Sequence, residues 1–73
     1  MIEVRLFAGL REGRQKVYQM EPDLVKTVQD IMDVLKIQRN EVNILLINGF
    51  HQKPETEVKD EDIVSLFPAV GGG

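Results

Sequence analysis

The sequence predicts an α+β fold: a mixed sheet of four to five short strands with one main helix across one face. Three observations point there. A single stretch carries apolar residues at helical spacing, Val28, Ile31, Met32 and Leu35. The opening stretch I-E-V-R-L-F-A alternates apolar and charged residues, the signature of a strand with one buried face. The stretch I-V-S-L-F near the end is rich in β-formers and is stopped by Pro68, which cannot donate to a sheet ladder. Seventy-three residues make one domain. A chain this short buries only roughly 60% of the surface its unfolded form exposes, so one compact layer pair is what it can build.

The elements follow in order. Ile2 to Ala8 forms the first strand, with Ile2, Val4 and Leu6 on one face and Glu3, Arg5 and Phe7 on the other. G-L-R-E-G-R, Gly9 to Arg14, supplies two glycines and charge for a hairpin loop. K-V-Y-Q-M, Lys16 to Met20, is a second short strand, closed by E-P-D. Thr27 caps the helix, and Asp30 three residues later completes a capping box with Asp in place of Glu. The apolar stripe then runs to Lys36 or Ile37, with Gln29, Asp30, Asp33 and Lys36 facing water. I-L-L-I, Ile44 to Ile47, is apolar on both faces and fits a central strand. Asn48-Gly49 signals a tight turn, and Phe50 to Gln52 a short return strand. Ile63 to Phe67 is the last strand.

One amphipathic helix and strands this short bury each other most economically as a mixed sheet with the helix across it. That is the β-grasp, or ubiquitin-like, roll, in which the first and last strands lie side by side. Residues 1–68 form this domain, and 69–73 are expected to be a flexible glycine-rich tail that projects from it.

Composition narrows the function classes. Without cysteine there is no disulfide, no thiolate nucleophile and no thiolate metal ligand. A net charge of -3 and nine basic residues that are scattered, with only Arg11, Arg14 and Lys16 close together, argue against nucleic acid. No apolar run approaches membrane-spanning length, and the charged first ten residues do not resemble a signal peptide, so a cytoplasmic location is expected. The acidic run E-T-E-V-K-D-E-D, Glu55 to Asp62, reads as a solvated loop, with a basic docking partner as the alternative. Asp60, Glu61 and Asp62 lack the spacing and glycine of a calcium loop, and no metal site is expected. His51 reads as a solvent-facing strand residue, and Ser65 as sheet surface. None of G-x-S-x-G, H-E-x-x-H or G-x-x-x-x-G-K-[ST] occurs, so a self-sufficient enzyme is not expected.

The unusual feature is the ending F-P-A-V-G-G-G. Gly71, Gly72 and Gly73 combine the least side-chain bulk with the greatest backbone freedom. Five extended residues from Ala69 reach on the order of 16 to 18 Å, enough to thread a channel that any Cβ would block. The only reactive group of such an arm is its α-carboxylate, ionised at neutral pH because its reference pKa is about 3.5. A carboxylate becomes an acyl donor once it is converted to an acyl-adenylate. In that scheme the protein is the substrate and the catalytic residues belong to a partner. A loose terminus or an engineered scar would present the same three glycines.

V-R-L-F-A-G-L-R-E, T-V-Q-D-I-M-D-V-L, L-L-I-N-G-F and V-K-D-E-D-I-V-S-L-F-P-A-V-G-G-G together resemble the MoaD/ThiS family of ubiquitin-like sulfur carriers over essentially the whole chain. The resemblance implies the fold read above. It also implies that an E1-like adenylyltransferase, using ATP and Mg, adenylates the Gly73 carboxylate, which then becomes a thiocarboxylate. No cofactor would be bound by the carrier itself. Gly72 and Gly73 match the family's di-glycine, and Gly71 adds a third glycine. Glu61 stands where the more usual D-G-D turn has glycine, a change expected to alter the turn and leave the chemistry alone.

V-R-L-F-A-G-L-R-E and L-F-P-A-V look most like the small subunit of molybdopterin synthase, whose tail would enter the large subunit. The alternatives are a thiamine-pathway carrier that feeds thiazole synthase, and a ubiquitin-like modifier forming isopeptide bonds. Gly72, Gly71, Val70, Phe67 and Phe7 are the residues expected to meet the partner enzyme. Phe7 and Phe67 either form an exposed apolar patch or fill the edge or core of the sheet, since one residue of register reverses their facing.

Overall fold

The computed structural model describes residues 1–69. Five strands and one helix appear in the order β1 (Ile2–Leu6), β2 (Val17–Met20), α1 (Val28–Leu35), β3 (Ile44–Ile47), β4 (Phe50–His51) and β5 (Ile63–Phe67). They build one mixed sheet in the spatial order β2-β1-β5-β3-β4. β1 and β5 run parallel, while β1–β2, β3–β5 and β3–β4 pair antiparallel. The α+β expectation and the adjacency of first and last strands hold, and this is the β-grasp roll.

The alternation in the sequence determines which face is buried. Ile2, Val4 and Leu6 of β1, Val64 and Leu66 of β5, and Leu45 and Ile47 of β3 all turn toward α1. Val28, Ile31 and Met32 of α1 meet them, and Leu10, Val25, Ile37 and Val58 close the margins of the same core. Among the described residues no polar or charged side chain is buried in it.

The helix starts where the capping box places it. The Asp30 amide donates to Thr27 Oγ1 at 3.2 Å, and the Thr27 amide donates to Asp30 Oδ2 at 3.1 Å. α1 ends at Leu35 because Lys36 takes φ 58, a left-handed cap that turns the chain toward the buried Ile37. The Asn48-Gly49 turn has φ 53 and φ 86 at its two central residues, the pairing that matches the twist of a two-residue hairpin.

Three expectations are corrected. β1 stops at Leu6, not Ala8, because Ala8 takes φ 50 and starts a 3₁₀ turn over Ala8–Arg11. The loop read as a plain hairpin is therefore itself ordered. It is fastened by Arg14, which donates to the carbonyls of Leu10, Leu35 and Lys36 at 3.1 Å each. The expectation that β3 is a non-edge strand covered on both faces holds, since it lies between β5 and β4 with every residue buried or half-buried. Glu61 adopts φ 72, so the departure from D-G-D leaves a glycine-type backbone in the turn.

Candidate functional site

β5 runs along the middle of the sheet and delivers the chain to the end where β1 finishes. The alternation along β5 leaves Ile63, Ser65 and Phe67 on the face turned away from α1. Register then puts Ile44 beside Phe67 and Leu46 beside Ser65 on that face, both half-buried. Toward the β2 side the same face turns polar. Glu3 pairs with Arg5 and accepts from Gln19 Nε2 at 3.3 Å, and the Arg5 guanidinium holds the Glu3 carboxyl below the usual carboxylate range. The outer face is thus an apolar strip over β5 and β3 bordered by a charged strip over β1 and β2.

At the top of the apolar strip the two expected aromatics meet. The rings of Phe7 and Phe67 stack with centroids 4.3 Å apart and planes inclined by 8°. Both are half-buried, so they neither enter the core nor stand free in water. Main-chain bonds fix the pair from below: the Phe7 amide donates to Leu66 O at 3.2 Å, and the Asn43 amide donates to Phe67 O at 2.8 Å. Pro68 and Ala69 leave directly from this stack. The predicted tail residues Val70, Gly71, Gly72 and Gly73 lie outside the described residues.

A third member of the cluster is Arg11, which the sequence marks only as one of three neighbouring cations and not as a partner of the aromatics. The Arg11 guanidinium carbon lies 5.3 Å from the centroid of the Phe7 ring, and Arg11 Nε donates to Leu6 O at 2.7 Å. The signal that could have found it is the 3₁₀ turn, which brings Arg11 back over residue 7. No periodicity in G-L-R-E-G-R announces such a turn.

The other candidates are occupied structurally. Asp60 pairs with the Met1 ammonium, and Asp62 accepts from Lys59 N and Asn48 Nδ2 at 2.9 Å each. His51 is exposed opposite Leu46 at the sheet edge, and Ser65 is half-buried on the outer face. Among the described residues no cluster of three or more His, Asp or Glu side chains gathers in metal-binding proximity. Among them, too, no helix is long and apolar enough to cross a membrane.

Comparison with known proteins agrees with this geometry. The model of the ThiS family matches residues 4–73. The SAMP1 structure from Haloferax volcanii is 26% identical over 99% of this chain and 98% of that one, with a TM-score of 0.75. The solution structure of the Haloferax volcanii HVO 2177 protein is 32% identical over 99% and 85%, at TM-score 0.73. Subunits 1 and 2 of molybdopterin-converting factor from Helicobacter pylori, solved as a complex, supply a match at 22% identity over 99% and 97%, with TM-score 0.65. Among proteins of curated function, none matches the chain.

Proposed function

The chain belongs to the ThiS family, and from that premise we propose that it is a sulfur carrier whose working group is the carboxylate of Gly73. The observation that carries this reading is that the family match extends through residue 73, so it includes the glycine ending. The fold supports it by ending β5 against an apolar outer face, with Phe7 and Phe67 at the point where the chain leaves.

The chemistry is acyl activation. The Gly73 carboxylate attacks the α-phosphorus of ATP on an E1-like adenylyltransferase, and pyrophosphate leaves. Hydrosulfide then attacks the acyl carbon, AMP and a proton leave, and a thiocarboxylate results. The carrier contributes recognition and reach; Mg and the residues that polarise the phosphates belong to the partner. The glycines Gly71 to Gly73 suit a channel too narrow for a Cβ, while Val70, Phe67 and Phe7 offer apolar contacts at its mouth.

As the acceptor we propose a molybdopterin synthase large subunit, on the strength of V-R-L-F-A-G-L-R-E and L-F-P-A-V. Thiazole synthase is the alternative. The similarity to SAMP1, and to small archaeal modifier protein 1 of the same organism, favours a second reading in which the same carboxylate forms isopeptide bonds.

Intact-mass measurement tests the carrier reading. Protein incubated with ATP, a sulfide source and the E1-like enzyme of its own organism should gain the mass of an oxygen-to-sulfur exchange at Gly73. Deleting Gly73 should abolish the gain and leave the unfolding midpoint unchanged. Full-length protein that stays unmodified beside an enzyme active on another carrier would overturn the proposal. Lysine-linked conjugates in extract, lost on removal of Gly72 and Gly73, would select the modifier reading.

A further inference from the structure

Charge is unevenly distributed along the strand axis. The acids Asp60, Glu61 and Asp62 surround the start of β1 and β5, where the Glu3 amide donates to Asp62 O and the Glu61 amide to Met1 O. The opposite end, where the chain leaves β5, carries Arg11, Arg14 and Lys16 from the loop after β1 and Lys36 at the end of α1. Glu12 and Glu41 are the acids of the same connections. A chain with a net charge of -3 and nine cations thus presents four of them, against two acids, at the end from which its last residues leave.

These cations are not equivalent. Arg14 is committed inward, with its donors on the carbonyls that end α1. Arg11 is committed on one side only: Nε holds Leu6 O, and the guanidinium plane is kept over the Phe7 ring. Its two Nη groups bond no other described residue, and the side chain is exposed. An arginine held at one nitrogen and across one face keeps its fork pre-oriented, so a carboxylate that meets it loses little further side-chain freedom. Lys16 belongs to the same end of the sheet, where its carbonyl accepts from the Leu6 amide at 2.9 Å. The stack Arg11–Phe7–Phe67 therefore has a cationic outer layer at the base of the tail.

We infer that Arg11, with Lys16, docks onto an acidic rim around the tail channel of the adenylating enzyme. This rests on the carrier reading above. Charge complementarity selects the occupant: an acidic rim attracts this end of the domain and repels its acidic opposite end, so it orients the encounter before the tail threads. It also lies outside the nucleotide site, which must attract phosphates and so cannot itself be acidic. The adenylating enzyme is chosen over the final acceptor because every fate of the carboxylate requires activation first.

The test is ATP-dependent adenylation by the E1-like enzyme of the same organism, followed as pyrophosphate release with the carrier as varied substrate. Arg11→Glu should raise KM about tenfold and Arg11→Gln about threefold with kcat kept, as expected for lost steering and one lost charge pair. The wild-type KM should climb with salt, and the Arg11→Glu variant should lose most of that slope. Lys16→Glu, which leaves the Phe7 stack untouched, should act in the same direction. Lys59→Glu at the opposite end should not raise KM. Unfolding midpoints separate a folding defect from a docking defect. A wild-type protein that is adenylated with a salt-independent KM, or an Arg11→Glu and Lys16→Glu pair with wild-type KM, overturns the acidic rim alone. A wild-type protein that is never adenylated overturns the carrier reading with it.

Discussion

Phe7 follows the last residue of β1 and Phe67 is the last residue of β5, and their rings lie 4.3 Å apart in nearly parallel planes. The contact joins the ends of the two parallel strands where the chain leaves the sheet. Phe7→Ala and Phe67→Ala should each cost about 1–2 kcal/mol, less than the 3–5 typical of a fully buried phenylalanine, because both rings are half-exposed. A double-mutant cycle in urea should return a coupling of about 0.5–1.5 kcal/mol from the stack itself. Strict additivity would show that the rings merely share a surface.

Arg14 ties the loop after β1 to the end of α1 through the Leu35 and Lys36 carbonyls. A guanidinium at a helix C-terminus satisfies acceptors the helix cannot and opposes the negative end of its dipole. Arg14→Met should cost about 1–2 kcal/mol. Amide exchange in residues 8–16 should accelerate more than exchange in the β1–β5 ladder. Uniform acceleration across the sheet would mean that the loop is held by something else.

Glu61 keeps φ 72 with its amide on Met1 O at 3.0 Å. A side chain in the left-handed region costs on the order of 1 kcal/mol, which glycine avoids while losing some unfolded-state entropy. Glu61→Gly should therefore raise stability by about 0.5 kcal/mol, and Glu61→Val should lower it by more than that. The urea midpoints of the two variants should move in opposite directions.

The Asp30 carboxyl is held below the usual carboxylate range, chiefly by the Lys26 amide and then by the Thr27 amide. A depressed native value stabilises the fold above the unfolded value of about 3.9, and that contribution fades as pH falls through the native one. Asp30→Asn should lower the midpoint near neutral pH and flatten the acid side of the stability curve. Urea titrations from about pH 7 down to about pH 2 would read this, and a variant curve parallel to wild type throughout would refute it.

Much of the fold was legible because it rests on local rules. Period-two alternation placed Ile2, Val4 and Leu6 inward, the 3.6 spacing placed Val28, Ile31 and Met32 against them, and the Thr27–Asp30 box marked the helix start. Asn48-Gly49 and Pro68 bounded their strands for equally local reasons. The loop of residues 8–14 was not legible as a 3₁₀ turn, since the Arg14 carbonyl contacts that hold it come from twenty-odd residues away.

By itself the sequence determined the helix and strand inventory and the buried faces of β1 and α1. Those follow from side-chain period, a property of residues near one another in the chain. Tertiary structure alone decided that Phe67 faces outward, that Phe7 stacks on it, and that Arg11 lies over Phe7. Each of those depends on the β1–β5 register across some sixty residues, where a one-residue slip would have sent the same aromatics into the core.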